Sequence, residues 1–259
     1  MPLADLPLSD MPPATLAFVA LAFVIAGLVK GLIGMGLPAM ALGVMLLVLR
    51  LPDAMAILVI PLFVTNAWQG VAGRHMREIV ARLWPLFVTG TLAVWFAVGI
   101  MIAADPAVLA AILGAVLIGY AGYGLKTPHV PTPSRRWEVV LSPVIGAVTG
   151  TIGGLTGSMA VPSVPYMHAL GMNRDALIQA MGVWFTLGSL SLGLSMGHRG
   201  AMPGALVVVS IGAILPAIAG MELGRRLRQR LSEALFRKVF LTALLALGCY
   251  IVGRGLWQG

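Results

Sequence analysis

The stretch Gly146-Ala147-Val148-Thr149-Gly150-Thr151-Ile152-Gly153-Gly154-Leu155-Thr156-Gly157-Ser158-Met159-Ala160-Val161-Pro162-Ser163-Val164-Pro165 decides how the chain is read. It lies in strongly apolar surroundings. Each helical glycine costs roughly 1 kcal/mol relative to alanine, and two prolines follow, so a continuous membrane-crossing helix is expected to break here. Inside hydrocarbon, irregular backbone is tolerated only where protein covers it or a watery cavity receives it, which makes such a break a place for a solute. A second copy lies in the first half: Gly27-Leu28-Val29-Lys30-Gly31-Leu32-Ile33-Gly34-Met35-Gly36-Leu37-Pro38.

The rest of the chain agrees with a membrane setting. With 59% hydrophobic and 10% charged residues and a mean hydropathy of +0.97, 259 residues have too little polar surface to cover a soluble globule. An all-α polytopic membrane protein is expected. The net charge of +8 then belongs to loops on the cytoplasmic side, and no nucleic-acid partner is expected. Cys249 is the single cysteine, which excludes an intrachain disulfide and a multi-cysteine metal site. Met1 to Pro13 carry no Lys or Arg, unlike the start of a cleaved signal peptide.

Ten apolar segments follow in two sets of five. The first set is Ala14–Val29, Leu37–Leu49, Ala54–Ala72, Leu83–Ala104 and Ala107–Leu125; the second is Val139–Ile152, Met159–Leu170, Ala176–Met196, Ala201–Met221 and Ala234–Val252. In each set the second segment is short, about 20 Å as a helix against a hydrocarbon core of about 30 Å, and is expected to pair with the first as a hairpin. Landmarks recur in order: Gly27, Gly31 and Gly34 share the spacing of Gly146, Gly150 and Gly153, and Asp53-Ala54 answers Asp175-Ala176. Gly122-Tyr123-Gly124-Leu125 answers Gly253-Arg254-Gly255-Leu256. The expected organisation is a first repeat over residues 1–125, a cytoplasmic connector over 126–137 and a second repeat over 138–259.

Basic residues fall on one side. Arg74, Arg77, Arg82, Lys126, Arg135, Arg136, Arg225, Arg226, Arg228, Arg230, Arg237 and Lys238 are assigned to the cytoplasm, with Arg50, Arg199 and Arg254 outside. Both termini then face out, and the halves enter the membrane in opposite senses. Inverted repeats with broken helices are a transporter architecture in which substrate binds near the midplane between the halves.

All nine carboxylates sit in loops or at segment ends, which disfavours a proton relay at depth. The polar groups at depth are hydroxyls, amides and bend backbone, a donor set that can replace the hydration water of an anion. The candidate substrate-binding residues are Lys30, Gly31, Gly34, Gly36, Asn66 and Gln69 in the first half. Thr149, Thr151, Gly153, Gly154, Thr156, Ser158, Gln179 and Thr186 are the candidates in the second, with Thr149 the counterpart of Lys30. Taken singly, a Ser or Thr in a membrane helix more often bonds its own carbonyls or a neighbouring helix. Lys30 admits two uses, attraction of an anion or snorkelling to the interface. Arg74-His75 and His198-Arg199 could form anion entrances or simply anchor helix ends, and Trp68 and Trp184 lie close to the polar cluster. His129 and His168 have no ligand partner at recognisable spacing, so neither a metal nor a cofactor is expected. The arginine-rich segment Met221–Leu231 is suited to an anionic lipid surface.

The paired turns Gly31-Leu32-Ile33-Gly34-Met35-Gly36-Leu37-Pro38 and Gly150-Thr151-Ile152-Gly153-Gly154 combine with matched halves and the ending Gly220-Met221-Glu222-Leu223-Gly224-Arg225-Arg226-Leu227 before a last apolar helix. In these respects nearly the whole chain resembles the sulfite exporter TauE/SafE family of bacterial membrane transporters. The resemblance implies movement of sulfite, sulfonates or other small sulfur-containing anions, usually outward, across the cytoplasmic (inner) membrane. Two other classes stay open: a sodium-coupled importer of such an anion, and a membrane-embedded enzyme, for which no nucleophile-and-base or metal motif is found. The oligomeric state is open, a homodimer included.

Overall fold

Helix α1 (Pro13–Ile33) ends where the first glycine turn predicts, with Gly34 in the left-handed region at φ 82° and Gly36 at φ 94° before the short α2 (Leu37–Met45). The computed structural model describes residues 3, 6–126, 131–227 and 233–258. Asp5, His129, Arg228, Arg230 and Leu231 lie outside the described residues, as does the side chain of Arg254. The chain continues as α3 (Leu51–Val71), α4 (Met76–Ala103), α5 (Pro106–Lys126), α6 (Arg135–Thr156), α7 (Ser163–Ala169) and α8 (Arg174–His198). It closes with α9 (Gly204–Gly212), α10 (Ile214–Leu227) and α11 (Glu233–Gln258). Among the described residues the structure is all-helical, and seven stretches are long and apolar enough to cross a membrane: α1, α3, α4, α5, α6, α8 and the combined Gly204–Leu227.

The second turn does not fall where glycine spacing places it. Helix α6 runs unbroken through Gly146, Gly150, Gly153 and Gly154, and ends at Gly157, φ 76°. The helix ends Gly34 and Gly157, and the N-caps Arg50 and Asn173, are each 123 positions apart. Glycines recur about every helical turn in α6, so matching Gly34 to Gly153 slips the register by one turn. Aligned on these helix ends, Lys30 falls opposite Gly153 rather than Thr149. Segment Ala201–Met221 is also interrupted, at Ala213. Pro216 lacks the N–H that would bond the carbonyl of Gly212, and its ring crowds that carbonyl.

Small residues let helices touch backbone to backbone. Gly27 and Gly31 of α1 face the main chain of Ala217 and Met221 in α10, and Gly220 and Gly224 face Val24 and Leu28 in return. Gly150 and Gly154 of α6 meet Gly90 and Val94 of α4 in the same way. A Cβ at any of these glycines would overlap backbone, which cannot move aside. This is the small-residue packing expected where no hydrophobic drive separates helix from lipid. Helices α3 and α8 cross antiparallel, with Gly70 against Val183 near one end and Gly193 against Val59 near the other; α5 and α11 also run antiparallel, Gly114 meeting Gly248 and Gly124 meeting Leu241. Arg74 and Arg174 thus share one end of the α3/α8 pair, and Arg50 and Arg199 share the other.

Proline in mid-helix leaves a carbonyl to be satisfied from elsewhere. Pro61 cannot donate to Ile57, and the Ser210 hydroxyl from α9 donates to that carbonyl at 2.7 Å. Ser191 and Ser195 of α8 donate to the Thr91 and Trp95 carbonyls of α4 at 2.7 and 2.9 Å. On the arginine-rich side, Arg82 of α4 grips Glu138 of α6 with two bonds of 3.0 and 2.7 Å and donates to the Leu170 carbonyl at 3.1 Å.

Candidate functional site

A cavity of about 1190 Å³ opens where the C-terminal ends of α1 and α3 meet the start of α8 and the side of α10. Lys30 lines it and is only 4% exposed. The lysine occupies the last turn of α1 and reaches across to α3, while Gly31 beside it lies against the α10 backbone at Met221. Its Nζ donates to Asn66 Oδ1 at 2.6 Å and to Thr65 Oγ1 at 3.2 Å. The orientation of Asn66 is set locally, since its Nδ2 donates to the Leu62 carbonyl at 2.8 Å and leaves Oδ1 for the ammonium. Among the described residues no carboxylate lies within ion-pair distance of Lys30.

The glutamines beside this cluster tie α3 to α8. Gln69 Nε2 donates to the Ile178 carbonyl at 2.8 Å; Gln179 Nε2 donates to the Gly70 carbonyl at 2.9 Å and its Oε1 accepts from the His75 amide at 2.9 Å. Both line the cavity, but through amides already engaged with backbone. Arg74, His75, Asp175, Glu222 and Arg225 also line it, and Glu222 accepts two bonds from Arg225, at 2.7 and 2.8 Å. The remaining wall is apolar and includes Phe63, Trp68, Ile218 and Met221. A small anion would meet a mostly apolar chamber with one buried ammonium, water-exposed arginines at the end of α10 and engaged amides.

Of the sequence-predicted residues, Lys30, Gly31, Gly34, Gln69 and Gln179 line this cavity, and Asn66 touches it through Lys30. Gly36 packs on Phe240 and Val29 instead. Thr149, Thr151, Gly153, Gly154, Thr156, Ser158 and Thr186 do not line it. Thr151, Thr156 and Thr186 bond back to the carbonyls of Ala147, Ile152 and Gly182 at 2.9, 2.7 and 2.6 Å, the ordinary habit of hydroxyls in helices. Ser158 is buried and gives its amide to Thr156 Oγ1 at 3.3 Å, and the buried Thr149 hydroxyl has no partner among the described residues. Around the second turn Met159 fills the space that Gly153 and Gly188 leave. Trp184, fully buried against Phe87, donates its Nε1 to the Met159 carbonyl at 3.1 Å and to Ser163 Oγ at 3.0 Å. The two turns are thus built differently: a lysine beside a cavity at the first, a methionine-filled contact at the second.

Sequence reading passes over Asp175, Glu222 and Arg225 as site residues. The signal was the Gly31/Gly224 contact, which brings the end of α10 beside Lys30, but a glycine pair does not say which helices it joins. His198 stacks on Trp95 at the far end of α8, away from the cavity. No group of three or more His, Cys, Asp or Glu that could hold a metal occurs among the described residues.

A family model described as Sulfite exporter TauE/SafE matches residues 19–251, from within α1 to within α11, and this range includes every residue of the cavity. No curated protein and no solved structure matches the chain.

Proposed function

The chain belongs to the sulfite exporter TauE/SafE family of membrane transporters, and from that premise we propose that it exports a small sulfur-containing oxyanion, sulfite or an organosulfonate, across the bacterial cytoplasmic membrane by alternating access. The observation that carries this is Lys30. A charged side chain at membrane depth is disfavoured by roughly 2.5–3.5 kcal/mol on insertion scales, so its retention beside a chamber calls for a use. Here neutral acceptors hold the ammonium and its charge is left for a ligand to balance.

The arrangement of helices supports the rest. Equivalent helices pair antiparallel, α3 with α8 and α5 with α11, and α1 on α10 answers α6 on α4. Two repeats, 1–125 and 138–259, inserted in opposite senses and joined by a cytoplasmic connector, account for this pairing. Arg74, Arg174 and Arg225 lie toward the cavity end, which the excess of basic residues assigns to the cytoplasm, with both termini periplasmic. The chamber would then receive anions from inside the cell. A cytoplasm held negative drives each negative charge outward by about 2.3 kcal/mol per 100 mV, so no intramembrane carboxylate relay is required.

The test is radiolabelled sulfonate flux in proteoliposomes with a potential imposed by an ionophore. Flux should rise as the compartment facing the cavity is made more negative. Flux indifferent to the potential contradicts electrogenic export.

A further inference from the structure

We infer that the slot between Gly153 of α6 and Gly188 of α8 is the far half of the transport path, shut here by the side chain of Met159. This rests on the export reading above and names the residue that has to move for it. Offset by 123 positions, as the helix ends are, Lys30, Thr65 and Asn66 fall opposite Gly153, Gly188 and Ser189. In the first half the Lys30 side chain bridges α1 and α3 to reach Thr65 and Asn66, beside an open chamber. In the second half Gly153 and Gly188 carry no side chain, and Met159 lies against both: a Cβ on Gly153 would strike its Cγ, and one on Gly188 its Sδ and Cε. Met159 is 3% exposed. One apolar side chain thus fills, between α6 and α8, the place that the lysine holds between α1 and α3.

The rim at that end is covered as well. Asp175, in the first turn of α8, is exposed and lines the cavity. Asp53, in the first turn of α3, is 4% exposed and accepts the Leu3 amide at 3.1 Å. Halves that open in alternation exchange arrangements, so the second has to clear its slot to release an anion toward the start of α3. Met159 is built for that movement. Its main chain is anchored, the carbonyl accepting from Trp184 Nε1 at 3.1 Å, while its side chain is unbranched, with three rotatable bonds and a glycine on each side. Turned out, it leaves a passage between two glycines; turned in, it forms an apolar constriction that excludes water.

The test places a thiol in the slot. In a Cys249→Ala background, Met159→Cys is treated with a cationic, impermeant methanethiosulfonate in right-side-out and inverted vesicles, at rest and while isethionate moves under an imposed potential. Reaction is expected only from the face that carries Arg50 and Arg199, at least tenfold faster during flux, and complete modification should remove nine-tenths of the flux. Reaction from the cavity face, a rate indifferent to flux, no reaction during measured flux, or undiminished flux after full modification overturns the gate and leaves export standing. Absence of both isethionate and sulfoacetate flux in the unsubstituted chain overturns export and the gate together. If Met159→Cys is not monodisperse, the nearly isosteric Ser189→Cys, at the position opposite Asn66, replaces it. The same face and the same acceleration during flux are then expected, and reaction from the cavity face, or none, overturns the gate.

Discussion

Asn66 gives one hydrogen to the Leu62 carbonyl and presents its oxygen to Lys30 at 2.6 Å, so an aspartate in its place would set a carboxylate against the ammonium. Asn66→Asp should therefore supply internally the charge that the substrate brings. Sulfonate flux is expected to fall tenfold or more while the thermal midpoint in detergent holds or rises; unchanged flux would contradict the role given to Lys30. At this scale the sequence was informative about Lys30, the one basic residue within an apolar run, and about Asn66 and Gln69, whose depth follows from position along α3. It could not tell a free hydroxyl from an engaged one. Thr151, Thr156 and Thr186 close on their own helices, a local choice that residue type alone leaves open.

Helices meet here through glycine, and the position of each glycine decides its worth. A Cβ on Gly150 would strike Gly90 backbone, whereas one on Gly119, on the exposed side of α5, would meet nothing within 4 Å. Gly150→Ala should lower stability by about 1–3 kcal/mol. Gly119→Ala should be neutral or stabilising by up to about 1 kcal/mol. Thermal unfolding in the same detergent checks both, and equal effects would contradict the packing. Met159→Ala empties the volume beside Gly153 and Gly188, and about 2–5 kcal/mol should be lost by the same measure. The order of the apolar segments was legible because hydropathy is a local property. The register between halves was not: glycines one turn apart offer two alignments, and only the left-handed ends at Gly34 and Gly157 separate them. The break at Ala213 had its cause in view at Pro216, but a proline in a membrane helix does not by itself say whether the helix stops or continues, as Pro61 and Pro85 lie within unbroken ones.

For the whole molecule, the proposed opposite insertion of the halves makes a prediction about access. In a Cys249→Ala background, a cysteine at position 74 or 225 should react with an impermeant thiol reagent only from the cytoplasmic side, and one at position 50 or 199 only from the other. Labelling of positions 74 and 199 from one side would exclude antiparallel halves. A transporter class was legible from paired breaks and the charge asymmetry, both spread along the chain. The meeting of α1, α3, α8 and α10 around a single chamber was not, since it depends on which helices pair, and α1 finds its partner almost two hundred positions away. The central claim is that the charge of Lys30 carries the anion through. Potential-driven isethionate flux in proteoliposomes, wild type beside Lys30→Met at matched monodispersity and reconstitution, tests it most directly. Loss of at least nine-tenths of the flux in the variant is predicted, and flux equal to wild type would contradict the account.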